Sequence, residues 1–159
     1  MKNKIIVLQG PPACGKSTKA KELIKEYGSD KAVIVCRDSI REGCGDYWVP
    51  SREEFISLIE ENMVTTALNY DLIPIIDGTN LNSKTIEKWK FIAEMKDVDI
   101  EFIEVIEPYE VALQRDKNRG NKVGEKVLRS FYERYYPESL KEDKEDNLLV
   151  GGNGDKTIV

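Results

Sequence analysis

Gly10-Pro11-Pro12-Ala13-Cys14-Gly15-Lys16-Ser17-Thr18 follows the pattern G-x-x-x-x-G-K-[ST], and its reading decides the fold. Such a stretch cradles phosphate when a strand precedes it and a helix opens from it. Both flanks are present. Ile5-Ile6-Val7-Leu8 is a continuous apolar run, the pattern of a buried strand. From Ser17 onward the sequence is rich in Lys, Glu and Ala, carries Leu23, Ile24 and Tyr27, and stops at Gly28, as a helix does. The glycines let the backbone curl so that successive N–H groups converge on anionic oxygens, and the helix start adds partial positive charge there. In this motif Lys16 reaches the β- and γ-phosphates and the Ser17 hydroxyl ligates Mg²⁺. Residues Gly10 to Thr18 are therefore expected to hold a nucleotide.

At 159 residues the chain reads as one domain, long enough to bury about 70% of its unfolded surface. Charged residues make up 33% and the net charge is −5, so a nucleic-acid partner requires a local basic patch. No apolar run approaches the ~18 residues of a membrane span and no signal peptide precedes the first strand. Cys14, Cys36 and Cys44 are odd in number and lack C-x-x-C spacing, which argues against a disulfide framework or a zinc site. These features point to the cytoplasm. Histidine is absent, which removes Ser-His-Asp and Cys-His nucleophile schemes and His-ligated metals. A carboxylate is left as the candidate base. Cys14 lies inside the loop, so alkylation of its thiol is expected to inhibit and to be slowed by ATP.

Beyond the loop, Ala32-Val33-Ile34-Val35-Cys36 is a second buried strand, followed directly by Arg37-Asp38-Ser39-Ile40-Arg41. Strand ends beside the phosphate loop of an open α/β sheet face the ligand crevice, and Asp38 and Arg41, three apart, would project there together. Two readings stand: Asp38 accepts a hydroxyl proton while Arg41 clamps an anionic acceptor, or Ser39 with Glu42 forms a capping box and Asp38 serves the helix dipole. Ser51 with Glu54 makes a second capping box. The helix from Ser51 to about Tyr70 carries Phe55, Leu58, Ile59, Met63 and Leu68 as a core-facing stripe. Trp48 either stacks on a base or packs onto that helix.

Leu72-Ile73-Pro74-Ile75-Ile76 is a third strand ending in Asp77-Gly78-Thr79-Asn80-Leu81-Asn82. Asp77 at a strand end faces Mg²⁺ or its waters or orients a catalytic Arg, or is simply turn chemistry with Gly78. Pro74 suggests an edge strand or a bulge. Asn82 or Ser83 caps a helix with Ile86, Trp89, Phe91 and Ile92 in the core. Ile100 to Ile106 is the fourth strand. Arg115 and Arg119, four apart, share a helix face that Gly120 ends, and Lys122, Lys126, Arg129 and Arg134 continue the cationic stretch. That stretch is either a solvated face or a lid carrying arginines onto ATP phosphates. Leu148-Leu149-Val150 reads as a fifth strand, Gly151-Gly152-Asn153-Gly154 as a linker, and Lys156 to Val159 as the start of another strand.

Four segments in this order and spacing give the chain a resemblance to the kinase half of the bacteriophage 5′-polynucleotide kinase/3′-phosphatase family: Gly10 to Thr18, Arg37-Asp38 with Arg41, Asp77 to Asn82, and Arg115 with Arg119-Gly120. The likeness runs to about Tyr136. It implies an α/β P-loop kinase fold, with a central mostly parallel four- or five-stranded sheet flanked by helices and an Arg-bearing lid. It further implies that Asp38, Lys16 and Arg119 are catalytic and that Arg115 joins Arg119 on the donor phosphates. Arg41, Asp77 and Thr79 fall on the acceptor side and Ser17 on Mg²⁺. The Asp77 segment departs from the phage pattern, where the acidic residue comes one position later.

The resulting expectation is a P-loop kinase domain over 1–150, with 151–159 a linker and first strand of an absent second domain: either a kinase domain cut from a longer chain that also carries a phosphatase, or a monofunctional relative. Its reaction is transfer of the γ-phosphoryl group of ATP, with Mg²⁺, to the 5′-hydroxyl of DNA or RNA, by a cytoplasmic protein that is monomeric or a homo-oligomer. A small-metabolite kinase and a non-catalytic nucleotide-dependent switch are the alternatives.

Overall fold

The computed structural model describes residues 2–120 and 122–141. The final stretch for which a fifth strand, a linker and a further strand are expected lies outside the described residues. Strands and helices alternate: β1 (Lys4–Gln9), α1 (Lys16–Tyr27), β2 (Ala32–Cys36), α2 (Arg37–Gly43), a 3₁₀ turn (Pro50–Arg52), α3 (Glu53–Asn69), β3 (Ile73–Asp77), α4 (Ser83–Met95), β4 (Asp99–Glu104), α5 (Tyr109–Asn118) and α6 (Glu125–Tyr135). The residues fall into two compact units, one made of the chain up to Gly10 with Gly15–Val105, the other of Pro11–Cys14 with the chain from Ile106 on.

The first unit holds a four-stranded sheet in the order β2-β3-β1-β4, with every pairing parallel. The continuous apolar run of β1 is explained by burial on both faces. Ile6 and Leu8 meet Ala20 and Leu23 of α1. Ile5 and Val7 point the other way, onto Val64 and Leu68 of α3 and Trp89 and Ala93 of α4. The α/β architecture anticipated from the sequence is thus the one observed, and α1 ends at Gly28 (φ 100°) as expected.

Pro74 does not mark an edge: β3 lies between β2 and β1. Ile73 donates its N–H to Lys31 O on the β2 side. Strand alternation then turns the position of Pro74 toward β1, ahead of Ile6↔Ile75, where the β1–β3 register begins. The missing donor falls where no ladder bond is required.

The core face of α3 also differs. The buried row is Ile56, Glu60, Val64, Ala67 and Leu68, whereas Phe55 (51%), Leu58 (54%) and Met63 are exposed. Both rows fit a helical period. Glu60 disguises the true one, because a carboxylate counts as polar until its partners Arg37 and Lys88 are known. On α4, Trp89 is buried and Phe91 is exposed, again one step from the sequence reading. Neither serine capping box forms: α2 opens on Cys36 and α3 on Arg52, both without a side-chain cap. Asn82 does cap α4, accepting the Lys84 N–H at 2.8 Å.

In the second unit, Cys14, Tyr109, Ala112, Leu113, Leu128, Tyr132 and Leu140 form one apolar cluster. Tyr109 and Tyr132 meet edge to face at 5.3 Å, the arrangement favoured by the ring quadrupoles. The crest of the phosphate loop is therefore a structural part of the α5–α6 unit.

Candidate functional site

The loop after β1 is shaped by close backbone approach. A Cβ at Gly10 would lie 2.0 Å from Val105 O, so only glycine fits. Its N–H donates to Thr79 O at 3.1 Å, which places Thr79 at the loop by its main chain. Ala13 (φ 62°) and Gly15 (φ 94°) take left-handed conformations, which turn successive N–H groups inward. Gly15 opens α1 without a side-chain cap, and the start of a helix is where backbone donors favour an anion. Lys16 is buried and donates to Gly10 O at 3.0 Å.

Ser17 Oγ donates to Asp77 Oδ2 at 2.8 Å. This joins the start of α1 to the end of β3 and brings Asp77, which the resemblance puts on the acceptor side, onto the residue expected to hold Mg²⁺. A hydroxyl and one carboxylate fit Mg²⁺, which is ordinarily held by one or two side chains together with phosphate oxygens. The loop and this pair thus suit Mg²⁺-ATP. Among the described residues no group of three or more Cys, Asp or Glu side chains forms a metal cage.

Asn80 fixes this arrangement, although the sequence offered no separate role for it. It is buried in a left-handed conformation (φ 46°). Its Nδ2 donates to Leu8 O at 2.8 Å, its Oδ1 accepts from Trp89 Nε1 at 3.0 Å, and its carbonyl accepts from Gln9 Nε2 at 2.9 Å. One amide therefore pins the ends of β1 and β3 to α4.

Cys36 at the end of β2 is in register with Asp77, and α2 begins immediately after it. Burial raises the Cys36 thiol pKa, and the carboxylates of Asp77 and Asp38 raise it further against opposing bonds from Ser39. Asp38 and Arg41 are joined as the spacing predicts: Arg41 Nη1 donates to Asp38 Oδ1 at 2.8 Å. Two partners were not foreseen. Tyr47 donates its hydroxyl to the same Asp38 oxygen at 2.8 Å. Glu53 takes Arg41 in a fork, from Nε at 3.0 Å and Nη2 at 2.5 Å. Burial, with the bond to Asp38, pushes the Tyr47 hydroxyl up to about 12, so it stays a donor. Arg41 holds Glu53 below the usual carboxylate range, and Glu53 in turn raises Arg41. Arg37 bridges Glu53 and Glu60 at 3.2 Å each. Burial raises Glu60 against the opposing charges of Arg37 and Lys88. Trp48 stands between α2 and α3. It is 59% exposed, with the Arg41 guanidinium 5.5 Å from its ring centroid.

Arg115 and Arg119 lie in the second unit and do not share a helix face. α5 ends at Asn118, and Arg119 is already extended (φ −100°, ψ 161°). Arg115 pairs with Glu107 at 3.6 Å. Arg119 Nε donates to Asp116 Oδ1 at 3.0 Å, and Asp116 also accepts from the N–H groups of Val123 and Gly124 at 3.0 Å each. Asp116, 2% exposed, is the organiser of the 119–124 segment. In the sequence it read only as an interruption of a cationic run; its place three residues before Arg119 was the available signal. The loop thiol is also unlike its expectation: Cys14 is 2% exposed, with Sγ 3.3 Å from the Tyr132 hydroxyl.

Comparison with known proteins agrees with this geometry. A family model described as an AAA domain matches residues 5–137. An L-seryl-tRNA(Sec) kinase of Methanococcus maripaludis is 30% identical over 133 residues, covering 82% of this chain and 52% of that protein. Among solved structures, the Pnkp1/Rnl/Hen1 complex aligns with TM-score 0.65 and 28% identity over 77% of this chain and 41% of that one. The Mycobacterium tuberculosis APS kinase CysC, solved with AMPPNP and APS, shares the fold with TM-score 0.62 at 12% identity, covering 74% and 70% of the two chains. The chain spans about half the length of that curated relative. With the phosphate loop on an all-parallel sheet and a family match over most of its length, the chain belongs to the AAA domain family and has the P-loop kinase fold.

Proposed function

We propose that the chain is the kinase module of a phosphotransferase that moves the γ-phosphoryl group of ATP to the 5′-hydroxyl of a polynucleotide. The observation that carries this reading is the Asp38–Arg41 pair, which follows β2 directly, where Cys36 registers with Asp77 and Asp77 holds Ser17. A carboxylate that can accept a proton and a guanidinium that can bind an anion accompany the same strand ends as the phosphate loop. The order of segments also resembles the phage 5′-polynucleotide kinases.

Phosphoryl transfer depends on alignment and charge stabilisation more than on covalent chemistry from the protein. Mg²⁺-ATP supplies the transferring group and a divalent charge. The loop from Gly10 to Thr18 and Lys16 hold the donor phosphates, with Ser17 and Asp77 on the metal side. Asp38 takes the proton of the acceptor hydroxyl as its oxygen bonds to phosphorus and the bridging oxygen leaves with ADP. Arg41, held by Glu53, meets the acceptor phosphate, and Thr79 keeps the acceptor side in place through its carbonyl. Arg119, with Arg115, is the proposed clamp on the donor phosphates.

The 30% identity to a seryl-tRNA kinase favours a second reading, in which the hydroxyl is borne by an aminoacyl group on RNA. The same residues would serve it. The deciding assay offers γ-labelled ATP a 5′-hydroxyl oligonucleotide, its 5′-phosphorylated form, seryl-tRNA and a panel of small hydroxylated metabolites. Label on the 5′-hydroxyl oligonucleotide alone is the expected result. Label confined to seryl-tRNA or to a metabolite would replace the first reading.

A further inference from the structure

The segment between α2 and α3 presents an indole where a soluble domain would ordinarily hide one. Trp48 is 59% exposed, and it is held there by a fixed loop. Arg52 donates from Nη1 to Cys44 O at 2.7 Å and from Nη2 to Asp46 O at 2.6 Å, and Gly45 supplies the left-handed turn between them (φ 108°). The indole is also placed relative to chemistry. The Arg41 guanidinium lies 5.5 Å from its ring centroid and 5.9 Å from that of Tyr47, while Arg41 Nη1 is 2.8 Å from Asp38 Oδ1. The order is therefore carboxylate, cation, aromatic face. A 5′-terminal nucleotide presents three groups to match from one sugar: a hydroxyl on C5′ to deprotonate, a phosphate on O3′ to pair with a cation, and a base on C1′ with a π-face.

We infer that Trp48 is the stacking platform for the base of the acceptor's terminal nucleotide, with Arg41 between it and Asp38 on the adjoining phosphate. The inference rests on the polynucleotide reading above and adds to it a base contact, given by a residue that stacks without reading sequence. It accounts for an indole left in water beside a guanidinium that Glu53 holds in place, since cation–π contact alone does not require such exposure.

The test compares two 5′-hydroxyl oligonucleotides, one intact and one with an abasic terminal nucleotide, on the wild-type chain, Trp48→Ala and Trp48→Phe. The wild type should prefer the intact acceptor by about ten- to a hundredfold in kcat/KM, the range of one base stack. Trp48→Ala should show no preference, and Trp48→Phe should keep most of it. The chain has two tryptophans, and Trp89 is buried. Intact oligonucleotide should therefore quench emission that is missing in Trp48→Phe, which reads binding without turnover. Equal use of both acceptors by the wild type, or an unchanged preference in Trp48→Ala, would overturn the platform while leaving the kinase reading intact. Transfer to a metabolite and to neither oligonucleotide would overturn both.

Discussion

Asp116→Asn tests the architecture of the arginine-bearing segment at its narrowest point. Among the described residues the carboxylate receives three donors: Arg119 Nε and Val123 N–H on Oδ1, and Gly124 N–H on Oδ2. An amide retains one oxygen. If it replaces Oδ1, an NH₂ group faces two donors; if it replaces Oδ2, it faces one. The second orientation is the cheaper, and it still loses a charge-assisted bond and weakens the others. The group is 2% exposed, so water does not compensate. A lost bond of this kind costs about 1.5–3 kcal/mol. The Arg119 pair adds up to about 1 kcal/mol, because its arginine is partly solvated and screened. The sum is about 2–4 kcal/mol, which for a chain of this size lowers Tm by roughly 5–15 °C. Circular-dichroism melting measures it directly. The same variant separates architecture from catalysis in a double-mutant cycle. If Asp116 acts on transfer by holding Arg119, its effect on kcat should vanish in an Arg119→Ala background. A melting point within about 2 °C of the wild type would refute the energetic reasoning. A kinetic effect that persists without Arg119 would refute the positioning role.

Arg119→Ala itself should cost on the order of 10³ in transfer rate, the low end for an arginine supplied to a phosphoryl transition state, and near-normal turnover would remove Arg119 from the site. Glu53→Gln should destabilise the chain by about 1–3 kcal/mol at neutral pH, the range for hydrogen bonds to charged groups. Because Arg41 lowers the Glu53 pKa in the fold, that contribution is present above the ordinary value of 4.5 and is lost as pH falls through the lower folded value. The gap between wild type and Glu53→Gln in denaturant melts should therefore close in acid, and a gap independent of pH would contradict the assignment. Cys14 should be the slowest of the three thiols to alkylate in the folded chain, by at least about tenfold relative to Cys44, since buried thiols are inert. Peptide mapping that found Cys14 labelled first would show that its burial against Tyr132 does not hold in solution.

What the sequence disclosed and what it withheld follow from the range of each interaction. The strand, loop and helix around Gly10 to Thr18 were legible because their signals are local: an apolar run, fixed glycines and a helical composition closed by Gly28. That Asp77 stands near the loop could be anticipated from its place at a strand end, but its bond to Ser17 could not. Glu53 could not be either, since a carboxylate on a helix surface and one that receives a guanidinium look alike in one dimension, whereas Asp116 left a signal in its spacing to Arg119. The α3 stripe failed for the same reason in reverse: Glu60 is buried only because Arg37 and Lys88 arrive from other elements. Pro74 misled because the rule about proline concerns individual N–H groups rather than whole strands.

The central claim is that Asp38 takes the proton from a hydroxyl carried by a nucleic-acid end. It is tested most directly by single-turnover transfer from γ-labelled ATP to a 5′-hydroxyl oligonucleotide, with the wild-type chain and Asp38→Asn at saturating ATP. A general base of this kind is worth about 10²–10⁴ in rate. The account predicts a loss of that size in Asp38→Asn with ATP affinity unchanged. Transfer at the wild-type rate, or a parallel loss of ATP binding, would contradict it.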